Sequence, residues 1–156
     1  MLREFFIFSI VFSFVPACFG ESVVKVSDGD TISVLDAAHH QARVRLWGVD
    51  APESKQAFGE ASRRHLAEHI AGKDVRLELH GRDRYGRVLA VVWLGDENEN
   101  LMQVRDGYAW HYVAFAKKAK EYAAAEKSAR ELHLGLWSDA HPVPPWEWRK
   151  ARRRKD

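Results

Sequence analysis

Beyond Val23 the chain alternates apolar and polar residues, Val24 and Val26, then Asp28-Gly29-Asp30, then Ile32 and Val34. A period of two predicts strands, and Asp-Gly between two such runs predicts a tight hairpin. After a polar loop, Asp36 to Gln41, a third strand is predicted over Arg43 to Val49, with Arg43, Arg45 and Trp47 on one side and Val44 and Leu46 on the other. Two further strands, Val75 to Leu79 and Val88 to Trp93, flank a glycine-bounded turn from His80 to Arg87. Phe58, Ala61, Leu66 and Ile70 recur at helical spacing, predicting a helix entered at Pro52 to Ser54 and stopped at Gly72. A short helix capped by Asn100 runs through Asp106. A longer one, Lys117 to His133, carries Tyr122, Ala125, Ala129 and Leu132 on its inner stripe ahead of Gly135. Tyr108 to Phe115 reads as an aromatic connector, and Pro142 to Arg149 as an extended segment whose Trp146 and Trp148 strap back onto the body. Five strands, one helix after the third and two helices late predict an α+β, mainly β, domain. The pattern fits a small closed five-stranded Greek-key barrel with about three helices.

Composition limits this to one domain, since 156 residues at 46% hydrophobic supply one core and no second of normal size. Its predicted extent is 21–148. The net charge of +2 conceals an uneven distribution: residues 149–156 hold six basic residues against Asp156, so the preceding 148 carry −3. Such a basic C-terminal tail suits a polyanion or an anionic surface, and equally a solvated end. Residues 1–20, with a basic start and an apolar run from Phe5 to Val15, read as a secretory signal. The protein is therefore expected to be exported, secreted or periplasmic. Cleavage after Gly20 gives a soluble product; cleavage before Cys18 gives a lipoprotein. Cys18 is the only cysteine, so the mature fold uses no internal disulfide.

The chemistry concentrates between Asp28 and Glu53, where folding of a pair of strands would bring Asp28, Asp30, Asp50 and Glu53 together. Two readings stand side by side here. Carboxylates gathered this way need a hard cation or arginines to offset their repulsion; alternatively, Asp-Gly is an ordinary turn and Pro52 merely ends a strand. The turn from His80 to Arg87, with Arg82, Arg84, Arg87 and Tyr85, calls for an anion or nearby acids, or is an exposed hairpin tip. His39-His40 read as turn residues. His65 and His69, four apart on a helix, lack a third ligand for zinc. No glycine-rich phosphate loop, GxSxG or internal repeat occurs.

Taken in order, DGDT, RVRLWGVDAPE, DRYGR, an Asn-led helix ending in RDGYAW, LGLW and PWEWR resemble the staphylococcal-nuclease-like (thermonuclease) family from about Val23 to Trp148. The resemblance implies an OB-fold barrel and a sugar-nonspecific, Ca²⁺-dependent nuclease that cleaves DNA and RNA at the 5′ P–O bond, leaving 3′-phosphates. It implies Asp30 and Asp50 as Ca²⁺ carboxylates, with Ala51 contributing its backbone carbonyl and Asp28 as an acid close to the metal. Glu53 is implied as general base, Arg45 and Arg87 as the grip on the scissile phosphate, and Arg84 and Tyr85 as contacts to a terminal nucleotide phosphate. Tyr112 is the implied stacking ring, although the run Tyr108 to Tyr112 does not align cleanly with the family's paired tyrosines. A monomer is expected, and no stable protein partner is inferred. A non-catalytic nucleic-acid-binding OB module is the alternative; such relatives tend to lose Asp30, Arg45, Asp50, Glu53 and Arg87, and all five are present here.

Overall fold

The computed structural model describes residues 20–154; residues 1–19, with Cys18 and nearly all of the predicted signal, and residues 155–156 lie outside it. The predicted alternation produces strands β1 (Glu21–Asp28), β2 (Thr31–Leu35), β3 (Gln41–Leu46), β5 (Asp74–Arg82) and β6 (Val88–Leu94), with a two-residue β4 (Val49–Asp50) after β3. Hydrogen-bonded neighbours run β3-β2-β1-β5-β6, and β3 closes the circle by pairing parallel with β6, Val44 opposite Val88 and Leu46 opposite Ala90. Closure leaves these five strands without a free edge. Register shifts in β1, between Val23 and Lys25 and between Val26 and Asp28, are bulges that add twist just before the Asp28 turn.

The predicted third strand is broken. Gly48 takes φ of +77°, a conformation that favours glycine, so the chain turns after Leu46 and restarts as β4. β4 pairs antiparallel with β8 (Trp110–His111), Asp50 opposite Trp110, and so the aromatic connector holds one of the candidate carboxylates.

The helices depart from expectation in instructive ways. Helix α1 (Gly59–Ile70) begins well after the predicted entry at Pro52 to Ser54. The intervening loop folds over the barrel end, with Phe58 at φ of +63° as the N-terminal flank. Helix α2 (Glu99–Arg105) follows the two-residue β7 (Glu97–Asn98) and is capped by Asn98, whose side chain accepts from Leu101 N–H, and not by Asn100. Asn100 is buried and joins strands: its amide donates to the carbonyls of Trp47 and Ala90 and accepts from Val92 N–H. The long C-terminal helix divides into a single turn, α3 (Val113–Ala116), and α4 (Lys120–Glu131). Tyr122 and Ala129 are buried as predicted, but Leu132 falls beyond the helix and is exposed. After a 3₁₀ turn (Gly135–Ser138), the segment predicted as extended forms helix α5 (Pro145–Arg152), which opens with Pro145 and runs straight through the predicted domain boundary at residue 148.

One apolar cluster fills the barrel and its helical cover, with Ile32, Val44, Leu46, Leu66, Met102 and Tyr122 nearly inaccessible. A second, around Trp110, Ala129, Leu136 and Trp137, receives Trp146 and so docks α5 on the body. Arg130 covers the faces of both Trp110 and Trp137, at 4.9 and 4.0 Å.

Candidate active site

The β1–β2 turn, β4 and the loop after it meet at one end of the barrel. Asp30 is buried; one of its oxygens accepts from Ala51 N–H at 2.6 Å and the other from Thr31 Oγ1 at 3.1 Å. Asp28 lies one bond away, accepting from Asp30 N–H at 3.2 Å. Arg45 projects from β3 and pairs with both Asp30 and Asp50, its Nη2 2.8 Å from Asp50 Oδ1. The neighbouring strand β6 pairs at Arg45, so the barrel closure itself aims this guanidinium.

The loop from Ala51 to Phe58 carries Glu53. Gln56 ties it down twice, accepting from Glu53 N–H and donating to the carbonyl of Val143. Gly59 is needed where α1 starts, since a Cβ there would lie 2.0 Å from the Glu53 carbonyl oxygen.

The residue that sequence reasoning missed is Arg149. Assigned to a basic tail, it instead sits in the carboxylate cluster, with Nη2 2.8 Å from Asp50 Oδ2 and Nη1 2.7 Å from Glu53 Oε1 and 3.2 Å from Asp50 Oδ1. Pro145 at the start of PWEWR was the readable signal for its helix; its partner Asp50, 99 residues away, was not readable. Two guanidiniums thus neutralise Asp30, Asp50 and Glu53. The balance is incomplete: burial pushes the Asp30 carboxyl up to about 6, Arg45 pulling it down and Asp28 pushing it further up. Burial likewise raises Asp50, against the hydrogen bonds from Arg149.

Arg87 stands across the cleft, on the β5–β6 turn. Its Nε donates to Asp83 Oδ2 at 2.7 Å, and Asp83 Oδ1 accepts from the N–H groups of Tyr85 and Arg87. Burial alone would raise Asp83, but these bonds outweigh it and hold the carboxyl below its ordinary range. Asp83, also unforeseen, is what orients Arg87. Arg84 and Arg87 flank the exposed ring of Tyr85 at 5.0 and 5.6 Å. Tyr112 lies at the rim, packed against Phe115 and Trp146.

All ten residues singled out in the sequence line one cleft of about 720 Å³. They fall into two walls, the carboxylates with Arg45 on one and the arginine turn on the other. His65 and His69 lie elsewhere, bonded to Gln103 and paired with Glu99 respectively. Among the described residues no three acidic, histidine or cysteine side chains are already disposed as a metal cage. In the cluster, guanidiniums occupy the positions between the carboxylates.

A closed five-stranded barrel with carboxylates and arginines at one mouth defines the class, an OB-fold protein whose cleft is built for an anion beside a cluster of hard oxygen donors. The family model of staphylococcal nuclease homologues matches residues 43–139, and the chain belongs to that family. It is 39% identical over 148 residues to an uncharacterized endonuclease of Haemophilus influenzae, covering 92% of this chain and 83% of that one. It is 44% identical over 131 residues to an uncharacterized endonuclease of Escherichia coli, with 83% and 84% covered. To a micrococcal nuclease of Shigella flexneri it is 41% identical over 145 residues, with 86% and 83% covered.

Proposed function

We propose that this endonuclease is an exported, Ca²⁺-dependent enzyme that hydrolyses DNA and RNA with little sequence preference, breaking the bond to the 5′ oxygen and leaving 3′-phosphates. The observation that carries the reading is the single cleft in which carboxylates, a base candidate and arginines on opposite walls all face one volume. The donor set fits the metal: Asp30, Asp50 and the Ala51 carbonyl are hard oxygen ligands, and the cluster already demands positive charge. When bound there, Ca²⁺ supplies charge stabilisation to phosphate oxygens and to the attacking water.

The rest is the work of the chain's own residues. Arg45 and Arg87 grip the phosphate from two sides, each planar fork suited to two oxygens at once, and their interaction strengthens as charge gathers on the pentacoordinate phosphorus. Glu53 accepts the proton of the attacking water, the new P–O bond forms, and the bond to the 5′ oxygen breaks, that oxygen taking a proton from solvent to leave as the 5′-hydroxyl. Asp83 holds Arg87 at its hydrogen-bonded angle, and Arg84 with Tyr85 receives a terminal phosphate. Tyr112 offers a ring to a base. The predicted signal supports export.

Digestion of plasmid DNA and of RNA by the purified mature protein, in chelator and with Ca²⁺ restored, tests the reading. Cleavage of both only with Ca²⁺, and 3′-phosphate ends, are expected. Full activity in chelator removes the metal from the mechanism, and polynucleotide binding without cleavage under any condition favours the non-catalytic OB module.

A further inference from the structure

Helix α5 brings to the cleft one guanidinium, that of Arg153, which the carboxylate cluster does not neutralise, beside that of Arg149, which it does. Arg149 and Arg153 both line the cleft, and Arg153 N–H bonds back to the Arg149 carbonyl, so the two stand one turn apart on the same helix face, roughly 6 Å along the axis. The orientation of that face is fixed rather than loose. Trp146 packs against Trp110 and Tyr112 at 5.6 and 5.7 Å, Gln56 holds the carbonyl of Val143, and Arg149 is pinned by Asp50 and Glu53. Arg153 is exposed, and among the described residues it makes no ion pair. The same cleft is lined by Arg84 and Arg87 of the arginine turn.

A single scissile phosphate is served by Arg45 and the arginine turn and leaves the guanidinium of Arg153, a helical turn beyond Arg149, without a partner, whereas a polynucleotide presents a charge at every step of its backbone. From this, and resting on the nuclease reading above, we infer that α5 is a wall of the substrate groove in which Arg153 binds a backbone phosphate flanking the scissile one. The residues read from sequence as a solvated or membrane-seeking tail belong to recognition of a nucleic-acid chain. Lys150 is the internal control, for it is exposed on the same helix but does not line the cleft.

The test compares Arg153→Gln with Lys150→Gln in the full mature protein. With single-stranded DNA of 16 nucleotides as substrate, R153Q raises KM about three- to tenfold at unchanged kcat, while K150Q does not. Equilibrium binding of the same oligonucleotide in chelator loses about 0.7 from its log–log salt slope in R153Q, the value for one phosphate contact on a single strand. A dinucleoside phosphate, which has no flanking phosphate, shows no difference between the two variants. Equal behaviour of R153Q and K150Q, or an unchanged KM in R153Q, overturns the inference. So does a loss in R153Q of binding to phosphatidylglycerol-containing vesicles with oligonucleotide binding intact. Failure of the wild type to cleave or bind any polynucleotide overturns instead the nuclease reading beneath it.

Discussion

Replacing Arg149 by Gln should tighten the binding of a divalent cation while weakening the cation-free fold. Arg149 makes three charge-assisted contacts of 2.7 to 3.2 Å with Asp50 and Glu53, so a cation held by Asp50 must first displace it. Fully buried, the loss of such a partner costs about 3–5 kcal/mol, whereas an exposed pair contributes about 1 kcal/mol or less. Asp50 is 1% exposed but the Arg149 side chain is 38% exposed, and Arg45 remains on Asp50, which places the net term between these limits, at about 2 kcal/mol. That energy corresponds to roughly 30-fold in affinity. Calorimetric titration of Ca²⁺ into wild type and R149Q, without nucleic acid, reads the first effect. Thermal unfolding in chelator reads the second, a fall of roughly 5–10 °C for a domain of this size. Only competition between guanidinium and cation moves the two measurements in opposite directions. R149Q binding Ca²⁺ no more tightly than wild type would refute it, and Arg149 would then support the metal ligands instead of contesting their place.

Three further outcomes follow from the same geometry. Glu53→Gln should lower kcat at least 100-fold with oligonucleotide affinity retained, in the range that general-base catalysis contributes; equal turnover in single-turnover assays would remove Glu53 from proton transfer. Gly59→Ala introduces a Cβ 2.0 Å from the Glu53 carbonyl, so the loop must move and kcat should fall with little change in oligonucleotide affinity, whereas an unaltered rate would show that Glu53 is not set by this contact. Glu99 is fully buried at the start of α2, with His69 Nδ1 3.5 Å away and neither carboxylate oxygen hydrogen-bonded; burial, then repulsion from Glu97, raises it from 4.5 to about 7. A carboxyl raised in the folded state holds its proton longer there than in the unfolded chain, so its stabilising contribution is complete below pH 4.5 and is lost as pH rises through about 7. Urea unfolding of Glu99→Gln against wild type at pH 5 and pH 8 should therefore show an advantage for the variant that grows by on the order of 2–3 kcal/mol at the higher pH, and a difference independent of pH would contradict the shift.

The barrel was legible because its strands carry period two and its turns carry glycine, both local signals. What failed was local in appearance but decided elsewhere. Asn100 has the side chain of a cap, but the carbonyls of Trp47 and Ala90 engage its amide, and Asn98 two residues earlier takes the capping place. The loop before α1 keeps a helical composition but is held open by Gln56 and by the close passage of Gly59 beneath it. In the cleft, the ten residues to which the resemblance gives a role all line it, but the roles of two others in the same motif blocks, Asp83 and Arg149, were not readable. Asp83 looks like a turn former until Arg87 is seen folded onto it, and Arg149 looks like one basic residue among six until α5 docks through Trp146.

The separation of Asp50 and Arg149 along the chain has a consequence for biogenesis. Synthesis proceeds from the N-terminus, and the five barrel strands, with the carboxylates and Arg45, emerge well before α5. Until α5 docks, Asp50 and Glu53 lack the guanidinium of Arg149, and Arg45 alone offsets the cluster. A chain cut between β8 and α5 would lose both that counter-charge and the Trp146 packing that carries it into the cleft.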